Sequence, residues 1–337
     1  MKQRVLYFTA PRQVAVQEQE LPALQAGQVL VETLVSAISP GTEMLLYRGQ
    51  FPTDLALDDT IDALVEPGVY PLRYGYSCVG RVIALGERAA SEWEGRMVFS
   101  FQPHASHFVA QTEALMPVPQ GLTAEQAAFL PNMETAVNLV MDGAPLIGED
   151  VVVFGQGIVG LLTVSLLARF PLARLITLDC YPLRRQASLA AGATASLDPH
   201  SMEDLEALHN LLPNGADLVY ELSGNPATLD QAISCAGFAG RVVIGSWYGK
   251  QRASLDLGGR FHRSRIQLIS SQVSTVAPRL SGRWTKARRF ELAWDLLAEV
   301  QPTRWITQRF PLTEAAQAYR LLDENPEQTI QVMLTYP

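Results

Sequence analysis

The spacing of apolar positions changes twice along the chain, dividing it into three stretches. Up to about residue 120 the apolar residues come in short runs broken by turn residues. The amino-terminal MKQRVLYFTAPRQ reads as a first strand, and VLVETLVSAI, Val29 to Ile38, has strand composition. Val79 to Leu85 is bounded by Gly80 and Gly86, and Met97 to Phe101 follows the turn at Gly95. From Thr123 the spacing becomes helical, with a Thr cap and Glu125 two residues on; Pro131 ends or kinks that helix, and a second starts near Asn132. Strand-length and helix-length runs then alternate. Strands are expected at Val151 to Phe154, Leu175 to Leu178, Leu218 to Glu221 and Arg241 to Ile244; helices at Ile158 to Phe170, Leu183 to Ala191 and Ala227 to Cys235. Such alternation implies right-handed crossovers and a parallel sheet covered on both faces. After about residue 271, Trp284 to Val300 and Thr313 to Leu322 read as amphipathic helices and Thr329 to Thr335 as a terminal strand that returns to the first domain. The pattern predicts an α/β protein: a mostly-β domain over 1–121 and 272–337, and a doubly wound parallel sheet over 122–271.

Composition narrows the function classes. Over 337 residues 48% are apolar and 18% charged, which suits a globular chain of about two domains. A net charge of −8 lacks the basic field that nucleic-acid binding requires, so small molecules are the expected partners. Cys78, Cys180 and Cys235 are too few and too scattered for a disulfide framework or a CxxC metal knuckle, and a cytoplasmic setting is expected. The most apolar stretch, Ile158 to Phe170, is too short to span a bilayer, so no membrane association is expected.

VVVFGQGIVGLL, residues 151–162, carries the most specific signal. Gly155 permits a tight turn after a strand, Gly157 lets backbone approach a pyrophosphate, and Gly160 lets the following helix pack close. The helix start at Ile158 and Val159 then offers unpaired N–H groups to phosphate. Asp179 ends the next strand, 19 positions beyond Gly160, where a carboxylate takes ribose hydroxyls and repels a 2′-phosphate. This favours NAD, with NADP as the alternative should Arg184 or Arg185 face a phosphate.

In this order of parts the chain resembles the medium-chain dehydrogenase/reductase superfamily. The resemblance runs through a β-rich first domain, VVVFGQGIVG, LITLD, VYELSGNPATLDQAI, GRVVIGSWYG and a return to the first domain. It implies a GroES-like catalytic domain plus a Rossmann domain. It places Ser223 and Gly224 on the adenosine side, Gly245, Ser246 and Trp247 near the nicotinamide, and Thr135 of METAVN beside the same ring. It also implies a homodimer joined at the edge of the nucleotide-binding sheet, through Arg241 to Ile244 and Gln267 to Val273.

The sequence departs from the zinc-dependent alcohol and threonine dehydrogenases of that superfamily. Where the resemblance puts the zinc ligands, this chain has Ser39 or Pro40 in SAISPGTE, Gly75-Tyr76-Ser77, and Pro131 in FLPNMET. Hydroxyls and prolines do not make a zinc site, and the cysteine-rich lobe is absent. His104, His107 and Cys78 form a rival metal set, disfavoured because HxxH on a strand sends the rings to opposite faces.

A zinc-free enzyme must polarise its substrate oxygen by hydrogen bonding. Tyr76 is the first candidate, His104 the second, and Ser39 with Thr42 and Glu43 the third. The expected function is NAD-dependent interconversion of a secondary alcohol and a ketone. SAISPGTEMLLYRGQFP is similar to the branch that includes bacteriochlorophyllide hydroxyethyl dehydrogenases. Two other readings stand beside it: a quinone or enone reductase, from the RGxY-like turn Arg48-Gly49-Gln50-Phe51, and a nucleotide-binding protein without catalysis. Lys250 to Arg289 holds ten basic residues against Asp256 alone, which suggests an anionic ligand or substrate, against the plainer reading of a solvated face.

Overall fold

The computed structural model describes residues 1–52, 61–64 and 68–336. The chain forms two compact units, Met1–Pro131 with Leu297–Pro337, and Asn132–Leu296. The divisions fall at 131/132 and 296/297, against 121/122 and 271/272 from the pattern of the sequence.

The first unit opens with the hairpin β1 (Lys2–Ala10) and β2 (Gln13–Glu20), then β3 (Gln28–Ala37), helix α1 (Pro40–Tyr47), β4 (Cys78–Leu85), β5 (Met97–Ser100), β6 (His107–Gln111), β7 (Met116–Pro117) and one short turn of helix, α2 (Ala124–Ala127). Thr123 caps α2 in a reciprocal capping box, and its partner is Gln126 at N3 rather than Glu125. Helix α1 lies outside the expected elements, yet Ser39 followed by Pro40 at its first position is a start signal.

In the second unit, α3 (Leu130–Gly143) carries Pro131 in its first turn, where the missing N–H costs nothing. There follow β8 (Asp150–Phe154), α4 (Ile158–Leu167), β9 (Arg174–Leu178), α5 (Pro182–Ala190), β10 (Ala195–Leu197), α6 (Met202–Leu211), β11 (Ala216–Glu221), α7 (Pro226–Cys235), β12 (Ala236–Ile244), β13 (Gln267–Ser270) and α8 (Lys286–Val300). The chain re-enters the first unit at Leu297, within the last turn of α8, and continues with β14 (Ile306–Pro311), α9 (Ala315–Glu324) and β15 (Gln331–Thr335). Strands β10 and β14 and helix α6 are further additions to the expected set. Ser201 caps α6, its side chain accepting from the Asp204 N–H at 3.2 Å.

In the first unit β15 pairs antiparallel with β3, giving the sheet order β14-β15-β3-β4-β5-β7, with β6 also on β3. A core of Leu6, Phe8, Ile38, Tyr74, Tyr319 and Val332, among others, packs beside it. In the second unit the order is β10-β9-β8-β11-β12-β13 and every pairing is parallel. Val151 to Phe154 and Leu175 to Leu178 are buried without a break, as strands covered on both faces must be. The chain runs outward from β8 to β10, then returns to β11 beside β8. That reversal opens a crevice at the carboxyl ends of β8 and β11, where ligands of such sheets sit. Among the described residues no helix is long and apolar enough to cross a membrane.

Candidate active site

The reversal point is built by the glycines. Gly155 has φ +87°, and a Cβ there would lie 2.5 Å from the Leu222 carbonyl oxygen and 2.6 Å from Ser223 Cα. A Cβ on Gly160 would lie 2.0 Å from the Gly155 oxygen. Both positions therefore exclude any side chain. Gly157 caps α4 with ordinary φ, and nothing lies within 4 Å of its Cβ position, so the space above it is open. With the first N–H groups of Ile158, Val159 and Gly160 turned to this space, the cradle fits a pyrophosphate.

Asp179 is tied to the same loop. Its Oδ2 accepts from the Gln156 N–H at 2.7 Å and its Oδ1 from the Tyr181 N–H at 2.9 Å. A carboxylate has about four acceptor positions, so about two remain for ribose hydroxyls. Arg185 is committed to Asp198 at 3.0 Å and to the Asp179 carbonyl at 2.7 Å, while Arg184 stacks 4.8 Å over the Tyr181 ring.

Across the crevice, Gly224 (φ +73°) donates its N–H to Ser246 Oγ at 2.8 Å, joining the loops after β11 and β12. A Cβ on Gly245 would meet Leu222 and Leu139 at 2.5 and 2.6 Å; Leu139 lies one turn beyond Thr135 on α3. Trp247 is 42% exposed. One residue missed in the sequence organises this side. Glu221 is fully buried at the end of β11, and its carboxylate accepts from the Ser223 N–H at 2.9 Å, the Ser223 hydroxyl and the Tyr248 hydroxyl. Burial, and then the Glu221 charge, push the Tyr248 phenol far up. An acid closing an apolar strand in VYELSG is the signal that could have found it.

The first unit holds the residues at the zinc-ligand positions. Ser39 Oγ lies in hydrogen-bond contact with the half-buried Tyr76 hydroxyl, with Thr42 Oγ1 at 3.4 Å from the same atom. Ser77 donates to the Ala128 carbonyl. Below them His104 is wholly buried, its Nδ1 2.7 Å from Ser36 Oγ and its Nε2 3.0 Å from Glu43 Oε2. Glu43 is also fully buried; its Oε1 accepts from the Ser39 N–H at 2.7 Å, and Oε2 from the Tyr319 hydroxyl. Ser36 meets the Tyr336 hydroxyl at 2.6 Å. Burial first, then the Glu43 charge, raise the Tyr319 phenol well above its ordinary value.

This geometry corrects the reading of His104 as a proton donor to substrate, because neither ring nitrogen is open. The rival metal set separates too. His104 faces Ser36 and Glu43, His107 faces Ser106 at 3.0 Å, and the Cys78 thiol points to the Gln102 and Pro103 carbonyls. Among the described residues no group of three or more His, Cys, Asp and Glu could hold a metal. The side-chain donors at the three ligand positions are hydroxyls, one of them spent on a carbonyl, and this set does not fit zinc. Arg48 of the RGxY-like turn is held by Asp323 at 2.6 Å.

Four of the ten basic residues of the stretch Lys250 to Arg289 make structural contacts. Arg289 is buried and bonds Glu134 Oε1 at 2.7 and 3.1 Å, Asn138, and the Thr275 and Val273 carbonyls. Arg260 donates to the Ala236 carbonyl, Arg279 to those of Met141 and Asp142, and Arg288 to that of Arg283.

Comparison with known proteins agrees with this architecture. Residues 159–295 match the family described as zinc-binding dehydrogenase. D-guloside 3-dehydrogenase of Escherichia coli (strain K12) is 24% identical over 98% of this chain and 99% of its own length. A structure described as a short chain alcohol dehydrogenase from E. coli CFT073, complexed with NADH, superposes with a TM-score of 0.80 at 19% identity, covering 99% of each chain. A Sinorhizobium meliloti 1021 protein whose structure is described under the zinc-binding dehydrogenase heading, bound to NADP, gives 0.77 at 18% identity over 99% of each chain. The family match falls inside the second unit, whereas Ser39, Pro40, Tyr76, Ser77 and Pro131 all lie outside it. The chain is thus similar to zinc-binding-type dehydrogenases, through the family match over residues 159–295 and through dehydrogenase relatives that align along nearly its whole length.

Proposed function

We propose that this protein is a metal-independent, NAD-dependent oxidoreductase that interconverts a secondary alcohol and a ketone in the cytoplasm. The observation that carries the reading is the Ser39–Tyr76 hydroxyl pair standing at the positions where the resemblance puts zinc ligands. Bound nicotinamide supplies or accepts the hydride. Gly155, Gly157, Gly160 and the start of α4 would hold the pyrophosphate, and Asp179 the ribose hydroxyls. NAD is favoured because Asp179 would repel a 2′-phosphate and Arg185 is paired with Asp198 rather than open to one. The Tyr76 hydroxyl, backed by Ser39, holds or returns the proton at the substrate oxygen, the electrostatic task that a metal otherwise performs. Similarity to D-guloside 3-dehydrogenase and to a sorbitol dehydrogenase supports a hydroxylated substrate. Two copies are proposed to pair through the free edge of β13.

Tyr76→Phe removes the donor without removing the ring. Turnover with NADH and a ketone panel should fall roughly 10²-fold or more, while calorimetric NADH affinity stays at the wild-type value and exceeds that for NADPH. Unchanged turnover would remove Tyr76 from the reaction, and tighter NADPH would overturn the Asp179 argument.

A further inference from the structure

We propose that Glu43 is a positioning residue that pins the Ser39 backbone N–H at the start of α1 and so sets the Ser39 hydroxyl against the Tyr76 phenol. The inference rests on the reading of Tyr76 and Ser39 as the proton-handling pair.

A serine at a helix N-cap ordinarily spends its side-chain oxygen on the N–H of the second or third helical residue. Thr123 does this in the same unit: its Oγ1 accepts from the Gln126 N–H at 3.2 Å, and Gln126 Oε1 accepts from the Thr123 N–H at 2.9 Å. At Ser39 the pattern differs, because the residue that reaches back is Glu43 at the fourth helical position and not the third. Glu43 reaches back to the Ser39 N–H at 2.7 Å, and the Ser39 side chain makes no cap bond. Pro40 at the first helical position removes one N–H that would have needed a partner. The N–H of Thr42, the third helical residue, goes instead to the Ser39 carbonyl at 3.2 Å, so the hydroxyl is not drawn onto the helix and lies against Tyr76.

For this to work Glu43 must not turn away, and the burial of its other oxygen ensures that. Oε2 is gripped by His104 Nε2 at 3.0 Å and by the Tyr319 hydroxyl. His104 Nδ1 lies 2.7 Å from Ser36 Oγ, and Ser36 Oγ 2.6 Å from the Tyr336 hydroxyl, so an unbroken chain of bonds runs from Tyr336 through Ser36 and His104 to Glu43. Gly75, with φ +120°, closes over the imidazole: a Cβ there would lie 2.7 Å from His104 Cδ2. The residue preceding Tyr76 thus packs on the same ring that holds Glu43. Residues far apart in sequence converge to fix one rotamer and, through it, one hydroxyl.

The test is a double-mutant cycle on Ser39, with the Tyr76 phenol titration followed by NMR on ring-labelled tyrosine and assigned against Tyr76→Phe. Glu43→Gln keeps an acceptor for the Ser39 N–H without the charge; Glu43→Met keeps the bulk but no acceptor, so Met is read against Gln. Glu43→Met is expected to move the Tyr76 titration away from that of Glu43→Gln and to lower kcat roughly tenfold relative to it at unchanged NADH affinity. In a Ser39→Ala background both differences should vanish. Equal behaviour of Met and Gln, or a difference that persists undiminished without the Ser39 hydroxyl, would overturn the proposal. Should Glu43→Met not fold, Tyr319→Phe loosens the grip on Oε2 and should shift the titration part of the way toward that of Ser39→Ala; no shift would count against it. If the wild type reduces no ketone, the functional reading fails, and the titration still decides the positioning role without any substrate.

Discussion

Arg289 shows how a charge that reads as surface can belong to the interior. It closes the run of ten basic residues that opens at Lys250, yet its guanidinium is wholly buried on Glu134, Asn138 and two carbonyls. Three further members, Arg260, Arg279 and Arg288, donate to backbone carbonyls, so four of the ten basic residues have a structural role. Burial raises the Glu134 carboxyl, with Arg289 opposing that rise. Arg289→Met should therefore destabilise the protein by about 3–5 kcal/mol, because it strands a buried carboxylate. The sign with pH follows: a carboxyl whose folded pKa lies above its unfolded value loses stability as pH rises through that interval, and removing Arg289 widens it. Urea unfolding of the variant should show its deficit growing with pH from the carboxylate range upward, and Glu134→Gln added to Arg289→Met should remove that slope. A pH-independent deficit would show that lost packing, not the stranded charge, sets the cost.

At the scale of elements, what is legible in the sequence follows the physics of each signal. Strands β8, β9 and β11 stand out because a strand covered on both faces is a continuous apolar run, and the glycines stand out because their spacing is tied to a strand and a helix start. Strand β10 is three half-buried residues, Ala195–Leu197, too short to show a period. Strand β14, ITQRFP, has no clean alternation and ends in proline. The bonds around Glu43 are out of reach for a different reason: they join positions 36, 39, 43, 104, 319 and 336, and no local pattern encodes a contact across such separations. The legible turn between β8 and α4 also gives a test that separates folding from binding. Gly155→Ala forces a side chain into φ +87° and against the Leu222 and Ser223 backbone, so it should cost about 2 kcal/mol or more of stability as well as NADH affinity. Gly157→Ala meets no protein atom within 4 Å and has ordinary φ, so its melting temperature should stay at the wild-type value while NADH binding weakens roughly tenfold or more. Equal NADH affinity in Gly157→Ala and wild type would mean that the phosphates do not lie over this turn.

For the whole molecule, the edges of the parallel sheet decide how one copy can meet another. Its two outer strands are β10 and β13. An exposed edge offers unpaired N–H and C=O groups to another chain, and short strands blunt that tendency. Strand β10 is three residues long, and Thr194, just before it, turns its hydroxyl to the Leu175 carbonyl, inward to β9. Strand β13 pairs with β12 along one side only, and its Leu268 and Ile269 are half-buried rather than covered. The proposed dimer would extend the sheet through that side, so light scattering should give twice the chain mass. Leu268 packs on the core of the second unit, and Ile269, half-buried and on the opposite face of the strand, is the position to change. Ile269→Lys places on the edge the residue that natural edges use against pairing. It should yield a monomer that still binds NADH, because the glycine loop and Asp179 lie at β8 and β9, away from this edge in the strand order. A wild-type monomer, or a dimer undisturbed by Ile269→Lys, would place the self-association surface elsewhere.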